Sequence, residues 1–229
     1  MEASLDARPH TRPRSLIRDQ VFDDLAEAII SGHLPPFAEI KDQDLQVAYG
    51  ISRTPLREAL LRLVDVGLVE IGDDRVPHVA PVDLSAQAER AEAAAALISY
   101  CAWVACPVYT DEQIDVLRDC IDDLLAFDLT RSGMRDGLRL WWAYWVSVVD
   151  AAENRIMLDD LNGRLALHLS RLVLTHPIAP ELAAFHENTL RGMREAIESR
   201  DGARLRDLIV ELFMTASVVP MRAAAASLR

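Results

Sequence analysis

The chain from Leu84 to about residue 224 shows helical periodicity and no convincing strand, and no other sequence feature restricts the fold as strongly. The breaks in this periodicity carry proline, glycine or capping residues, which end and start helices. They divide the region into six predicted helices, at about 84–106, 111–127, 132–151, 154–174, 180–199 and 201–224. Consecutive helices without an intervening strand bury their apolar faces against one another, so we predict a C-terminal helical bundle.

The preceding residues show a different order of elements. The pattern indicates helices over about 15–33, 41–49 and 52–66, followed by two short alternating strands around a turn at 72–75. A glycine stands at or near the end of each helix, and Ser52 is placed where its oxygen can cap the third one. Three helices and a hairpin in this order predict a winged helix-turn-helix.

These patterns together predict a mainly α chain with two domains. The expected limits are a flexible tail over 1–14, a winged helix-turn-helix domain over 15–80, a linker over 81–84 and an all-α helical domain over 85–224. The N-terminus has no apolar core of the kind that secretory signals carry. No apolar run approaches the roughly 20 residues that cross a bilayer. We therefore expect a cytoplasmic protein without membrane contact.

Two arginines occupy an unfavourable place in the third predicted helix. Arg53 and Arg57 lie in its first turns, where the helix dipole disfavours cations. An anionic partner at this end would stabilise them, and guanidinium groups suit both guanine edges and phosphates. The alternative is a solvated helix face in which the arginines pair with Glu58 or Asp65.

The overall charge restricts how such a partner could be bound. The chain carries 24 Lys and Arg against 36 Asp and Glu, a formal net charge of −12, and neither half is basic. Nucleic-acid binding would therefore need a local patch of positive charge. No phosphate-binding glycine loop, G-x-S-x-G or H-E-x-x-H motif is present, so no residues support an enzyme.

The segment "GHLPPFAEIKDQDLQVAYGISRTPLREALLRLVDVGLVEI" resembles the DNA-binding domain of GntR-family bacterial transcription regulators, above all in "SRTPLREAL". The resemblance implies that Arg53, Thr54 and Arg57 contact DNA, with Ser52 beside them, and that Gln43 contacts it from the preceding helix. The turn of the predicted hairpin reads "GDDR". There Asp73 and Asp74 would be repelled by phosphate, whereas Arg75 could compensate for them. The arginines of the tail, Arg8, Arg12 and Arg14, are a further source of positive charge.

The helical region resembles the FCD (FadR-like) effector-binding domain of one GntR subfamily, in its six-helix variant. The resemblance rests on "AAEN" at 151–154 and on "TLRGMREAIESRDGARLRDLIVELF". Many such domains bind a divalent metal through an aspartate and three histidines. On this chain those positions fall on Trp141, Trp145, Leu190 and Leu212, and none of these side chains can coordinate a metal. The resemblance therefore predicts that this chain holds no metal cofactor there.

The segment "LRLWWAYWVSVVD" places four aromatic residues on one predicted helix. Because Trp141 and Trp145 share a helix face, one interpretation is ordinary core packing. The other is an effector pocket in which Tyr144 and His186 supply polar contacts and Arg135 or Arg139 meets a carboxylate. The spacing of His168, His176 and His186 does not favour a metal site.

These observations predict a DNA-binding transcription regulator, a repressor, that binds operator DNA as a homodimer. A small-molecule effector in the helical domain would modulate that binding. The alternative is a helical ligand-binding or scaffold protein whose DNA-binding domain has decayed, which the acidic turn and Gln43 would favour.

Overall fold

A computed structural model describes residues 14–73, 75–127, 134–169, 171 and 182–227, and for 14–16, 134–136 and 164 it describes the backbone alone. The chain divides between Val82 and Asp83 into two compact units, which are treated separately below. The prediction of a mainly α chain, with a winged helix-turn-helix before a helical domain, is confirmed.

The N-terminal unit contains three helices and a two-stranded antiparallel sheet: α1 (Arg14–Ile30), α2 (Asp42–Tyr49), α3 (Arg53–Asp65), β1 (Val69–Ile71) and β2 (Pro77–Val79). Val69 pairs with Val79 and Ile71 with Pro77. Glycines at positive φ end α2 and follow α3, because Gly50 has φ +62° and Gly67 has φ +76°. The unit buries the apolar faces of α1 and α3 against each other.

The described residues of the C-terminal unit form helices and the turns between them. Its α-helices are α4 (Leu84–Ala105), α5 (Asp111–Ala126), α6 (Met134–Asp150), α7 (Arg155–Asp160), α8 (Ala166–Leu169), α9 (Leu182–Glu198), α10 (Gly202–Phe213) and α11 (Val219–Ser227). Asp83 caps α4 by accepting hydrogen bonds from the backbone of Ser85 and Ala86. Thr110 and Gln113 form a capping box at the start of α5. Helix α4 packs against α10, α11 and α6.

Two of the expected helices are interrupted. The helix expected over 154–174 ends as α7 at Asp160, and a π-helical turn follows over Leu161–Leu165, where Gly163 has non-helical backbone angles (φ −81°, ψ −121°). The helix expected over 201–224 is divided by a second π-helical turn over Met214–Val218. Hydrophobic periodicity continues through both turns, so the sequence pattern did not indicate them.

Two segments meet the length and apolarity of a membrane span, Leu84–Val108 and Gly202–Ser227. This corrects the expectation that no apolar stretch approaches that length. The test uses length and composition alone, and a core helix of a soluble protein passes it as well. Half of the first segment's most apolar window is buried inside the protein, against 28% for the second.

The junction between α4 and α10 allows a direct test of the packing. A methyl carbon added to Gly202 would lie 2.5 Å from the backbone carbonyl oxygen of Trp103. We expect Gly202→Ala to cost about 1–3 kcal/mol and to lower the Tm by roughly 2–10 °C, because backbone cannot move aside as a flexible side chain can. Ala203→Ser, at the next and exposed position, should leave the Tm within about 2 °C of wild type in the same calorimetric scan. An unchanged Tm for Gly202→Ala would contradict this packing.

Candidate nucleic-acid interface

Helix α3 separates an apolar face from a cationic one. Its buried face carries Leu56, Leu60 and Leu63, whose relative exposures are 1%, 6% and 0%. The helical period then places Arg53 and Arg57 on the exposed side. Thr54 is exposed beside them. The structure therefore presents three of the expected DNA-contacting residues to solvent at one end of one helix.

The turn between α2 and α3 determines where α3 begins. Gly50 takes a left-handed conformation, and the backbone N–H of Ile51 donates to the carbonyl of Gln46. Ser52 holds the N-cap position in an extended conformation (φ −76°, ψ 167°), but its side chain makes no capping hydrogen bond. The expectation that its hydroxyl caps α3 is therefore wrong, because that bond does not form. The Ser52 side chain is exposed at the cationic end of the helix.

Helix α2 is held by a polar contact inside the unit. The Tyr49 side chain is buried, and its hydroxyl is hydrogen-bonded to the Asp24 carboxylate of α1. Burial, together with the charge of Asp24, raises the pKa of the Tyr49 phenol far above its ordinary value. The phenol is therefore neutral at physiological pH and can donate to Asp24.

Ion pairs on α3 distinguish its arginines. Arg62 contacts Asp19 of α1 at 2.6 Å and lies 4.2 Å above the ring centre of Phe22. Glu58 lies 3.7 Å from Arg18 of α1. Neither Arg53 nor Arg57 makes an ion pair with any described residue. The alternative in which Glu58 or Asp65 neutralises these two arginines is therefore wrong.

A groove of about 560 Å³ connects α2, α3 and the hairpin. It brings together three of the expected DNA-contacting residues, since Gln43, Arg57 and Arg75 all line it. Sequence reasoning missed Lys41, which adds a further cation. It also missed the acidic residues that share the groove, Glu39, Asp42 and Asp44. Ser52, Arg53 and Thr54 lie outside this lining.

The turn of the hairpin lies between Ile71 and Pro77, as expected. Arg75 takes a left-handed backbone conformation (φ +64°), and its N–H donates to the carbonyl of Gly72. A bridge from Glu39 to His78 joins the segment before α2 to strand β2. Asp74 and the tail arginines Arg8 and Arg12 lie outside the described residues, as does the side chain of Arg14.

The C-terminal unit brings the residues of the expected effector pocket together. The rings of Trp141 and Trp145 stack with centroids 5.3 Å apart and planes 24° apart. Trp145 also contacts Phe213, and Trp141 lies 6.0 Å from the His186 ring. Leu190 and Leu212 belong to the same buried cluster. Trp145, Leu190 and Leu212 are at most 5% exposed, whereas Trp141 is partly exposed.

Two polar groups lie within this cluster. The Tyr144 side chain is fully buried, and its hydroxyl donates to the Met193 sulfur at 3.8 Å. His186 donates from Nδ1 to the carbonyl oxygen of Leu182 at 2.7 Å. Burial lowers the pKa of His186, although that hydrogen bond partly opposes the shift. The ring is therefore neutral, and its Nε2 is a hydrogen-bond acceptor.

The side chains of the cluster do not fit a metal ion. Indole and isobutyl groups offer no lone pair that a divalent cation uses, and Trp141 and Trp145 pack against one another instead. Within the described ranges, no three His, Cys, Asp or Glu residues converge on a point. His168 is buried after the π-helical turn, whereas His176 lies outside the described residues, and so does the side chain of Arg135. Arg139 is exposed on α6.

Comparisons with known proteins agree with the geometry of the N-terminal unit. Residues 17–75 match the family described as "Bacterial regulatory proteins, gntR family". A protein of Paenarthrobacter nicotinovorans named "Probable D-xylose utilization operon transcriptional repressor" is 33% identical to this chain over 66 residues. That match spans 29% of this chain and 29% of the relative, so less than a third of either is aligned.

Solved structures share the fold over most of the chain. E. coli McbR/YncC has 19% identity and a TM-score of 0.72, over 91% of this chain and 98% of its own. A GntR regulator from Rhodococcus sp. RHA1 has 16% identity and the same TM-score, over 90% and 98%. Lar of Listeria monocytogenes has 17% identity and a TM-score of 0.60, over 93% and 97%. At such low identities these structures show the fold alone.

The order of elements in the N-terminal unit, its exposed arginines at the start of α3 and the match over residues 17–75 agree with one another. Over residues 17–75, its winged helix-turn-helix domain, this chain is similar to the gntR family of bacterial regulatory proteins.

Proposed function

We propose that this chain is a transcription regulator, a repressor, which binds a two-fold operator as a homodimer in the bacterial cytoplasm. A small molecule bound in the C-terminal unit would change its affinity for the operator. The observation that carries the proposal is the cationic end of α3, where two exposed arginines have no ion pair with any described residue.

The helix dipole makes this arrangement costly in the absence of a ligand. Cations near a helix N-terminus are disfavoured by about 0.3–1 kcal/mol each. DNA removes that cost, because phosphates and guanine acceptors bring negative charge to the same end. Arg53 and Arg57 are one turn apart on α3 and can enter a major groove together.

The groove beside α3 has both signs of charge. Lys41 and Arg57 would favour phosphate, whereas Glu39 and Asp42 would repel it. Binding of DNA by a chain with a net charge of −12 would then depend on few cations and on base contacts. We therefore expect a shallow salt dependence and weak binding to non-specific DNA.

The first prediction concerns Arg53 and Arg57. An operator would be selected from random double-stranded oligonucleotides with the full-length protein, and its Kd would be measured by fluorescence anisotropy. Arg53→Ala and Arg57→Ala should each weaken binding by about 1–3 kcal/mol per half-site, hence at least about tenfold in Kd. Arg118→Ala removes the same charge from a partly exposed arginine of α5, and its Kd should remain within about twofold of wild type.

Two results would contradict the proposal of operator binding. The selection could enrich no sequence, which would favour a ligand-binding protein with a decayed DNA-binding domain. Alternatively, Arg53→Ala, Arg57→Ala and Arg118→Ala could weaken binding equally, so that net charge rather than the α3 surface would account for it.

The aromatic cluster supports the effector part of the proposal. Trp141 is partly exposed at the edge of a buried apolar group, and the neutral His186 beside it offers an acceptor nitrogen. An effector that fits such surroundings has an aromatic or apolar body and one hydroxyl or N–H donor.

The second prediction tests this pocket with two panels of compounds. Hydroxylated aromatic compounds should raise the Tm of the wild-type protein, whereas small carboxylates should not. His186→Phe and Trp141→Leu should abolish the increase. Trp142→Leu, on the same helix but outside the stacked group, should retain it. An increase produced by carboxylates alone would contradict an apolar pocket.

The third prediction follows from the pKa of His186. Because that pKa lies below the ordinary value of about 6.5, the ring is mainly neutral as the pH falls from 8 to 6.5. Affinity for a donor ligand should be constant over this range and should fall at lower pH, when Nε2 gains a proton and ceases to accept. Isothermal titration between pH 5 and 8 measures this, and His186→Phe should show no binding at any pH in this range.

The fourth prediction concerns metal. The resemblance places the metal ligands of related domains on Trp141, Trp145, Leu190 and Leu212. Because none of these side chains coordinates a metal, elemental analysis of the purified protein should find less than about 0.1 equivalent of Zn, Mn or Ni. Dialysis against EDTA should leave the Tm unchanged. A stoichiometric metal, with a Tm lowered by EDTA, would contradict the placement of these four residues.

A further inference from the structure

The basic residues of this chain include a single lysine. The sequence contains 23 arginines and one lysine, Lys41, which stands directly before α2. The guanidinium of an arginine is always charged and is not acylated, whereas the amine of a lysine is a target of acetylation. Acylation of a lysine converts its ammonium group into a neutral amide. Lys41 therefore carries the one side-chain amine of this sequence whose positive charge acylation can remove.

This lysine lies on the candidate nucleic-acid interface. Lys41 lines the groove that connects α2, α3 and the hairpin, together with Gln43, Arg57 and Arg75. Those three are residues that we expect to contact DNA. The side chain of Lys41 is exposed, so both DNA and small reagents have access to it. The single acylatable side chain of the protein thus belongs to the surface that the proposed function assigns to DNA.

The side chain of Lys41 does not stabilise the helix that follows it. Lys41 occupies the N-cap position of α2 in an extended conformation (φ −86°, ψ 114°) and makes no side-chain capping hydrogen bond. Short side chains with an oxygen acceptor are preferred at this position, and a cation there opposes the helix dipole. Lys41 also forms no ion pair with any residue in the part of the chain that the structure describes. An anionic ligand in the groove explains a lysine at this place, whereas the stability of α2 does not.

The charges that line the groove are balanced as long as Lys41 is protonated. Three carboxylates and three cations line it: Glu39, Asp42, Asp44, Lys41, Arg57 and Arg75. When Lys41 is acylated, three carboxylates stand against two cations, and the lining becomes net negative. A surface that can accept phosphate is thereby changed into one that repels it.

We propose that Lys41 is a site of acylation by an acyl phosphate, and that this modification weakens the binding of the protein to its operator. The proposal rests on the proposed function, because it requires that the groove faces DNA. It adds a second input to that function. This input is covalent and acts on the N-terminal unit, whereas the proposed effector would bind in the C-terminal unit.

The reaction transfers an acyl group to the lysine amine. The Nζ atom of Lys41 loses one proton to solvent and attacks the carbonyl carbon of the acyl phosphate. An N–C amide bond forms, the C–O bond to the phosphate breaks, and the phosphate leaves as hydrogen phosphate with a second proton from the amine. The donor is an anion, so Arg57 and Arg75 attract it to the groove as they would attract DNA.

Loss of one cation has a large effect in a chain that has few of them at its interface. The net charge of −12 means that the global field does not hold this protein on DNA. Each phosphate contact contributes about 0.9 to the slope of log Kd against log salt concentration. Losing the Lys41 contact in both half-sites should therefore lower that slope by about 2 and raise Kd at physiological salt at least about tenfold.

The test treats the full-length protein with acetyl phosphate. Its Kd for the selected operator is measured by fluorescence anisotropy before and after treatment, and peptide mass spectrometry gives the acetylated fraction of Lys41. The ratio of the two Kd values should be at least about ten for wild type. For Lys41→Arg the ratio should be close to one, because the guanidinium keeps its charge. This variant retains the α-amine of the chain and so controls for acetylation there.

A second variant separates the position of the charge from the net charge. Lys41→Arg combined with Arg118→Lys moves the single lysine to a partly exposed position on α5 of the C-terminal unit. Acetylation then removes the same unit of charge away from the groove. The Kd ratio of this double variant should stay within about twofold of one.

Three results would overturn the proposal. Lys41 could remain unmodified at a concentration of acetyl phosphate that acetylates the α-amine. Wild type could keep its Kd and its salt slope although Lys41 is acetylated. The double variant could lose as much affinity as wild type, so that net charge would account for the effect.

A measurement on wild type alone tests the position of Lys41 without any substitution. Operator DNA at saturating concentration should protect Lys41 from acetyl phosphate, and equal acetylation of the free and the bound protein would overturn the proposal. Failure of the proposed function has a different signature, because the selection would then enrich no operator and this proposal would fall with it. An operator that is selected, with a Kd that acetylation of Lys41 leaves unchanged, would remove this proposal alone.

Discussion

The burial of one face of α3 against α1 determines what the N-terminal unit can present to DNA. Leu56, Leu60 and Leu63 have to face inward, and the period of the helix then places Arg53 and Arg57 outside. The same packing assigns the third arginine of α3 to another role. Arg62 lies near enough to α1 to bind Asp19 and to cover Phe22, so it stabilises the pair of helices. A single apolar face thus separates the structural arginine from the two that are available to a ligand, and the left-handed glycine before Ser52 determines where their helix begins.

In the C-terminal unit, α4 is the helix around which the others pack. One side of this helix meets α6, α10 and α11, and the small side chains of its alanines allow close approach. Gly202 shows how close the approach is, because no Cβ fits between it and the Trp103 backbone. The other side of α4 carries Glu89 and Glu92 near its start and no charged residue from Ala93 to Ala105. The inner side of α4 supports the bundle in which the proposed effector would bind. A change in the bundle would then alter the spacing of two recognition helices.

Much of this architecture could be predicted from the sequence because helix ends carry local chemical signals. Gly50, Gly67 and Thr110 mark breaks that the structure reproduces within a few residues. The turns over 161–165 and 214–218 were not predictable, since π-helical turns leave apolar periodicity intact. At the candidate site, "SRTPLREAL" indicated the exposed arginines, whereas the role of Arg62 depends on a contact 43 residues away. The presence of Lys41 and three acidic residues in one groove likewise depends on tertiary structure.

The central claim is that the start of α3 reads bases in a major groove. The most direct measurement is the affinity of wild type, Arg53→Ala and Arg57→Ala for every single-base variant of the selected operator. A base contact predicts that at least one arginine variant loses discrimination at one defined position, and at its symmetry mate in the other half-site, while other positions keep their preferences. Uniform weakening across all positions, with the wild-type base preferences unchanged in both variants, would contradict the claim and reduce these arginines to phosphate contacts.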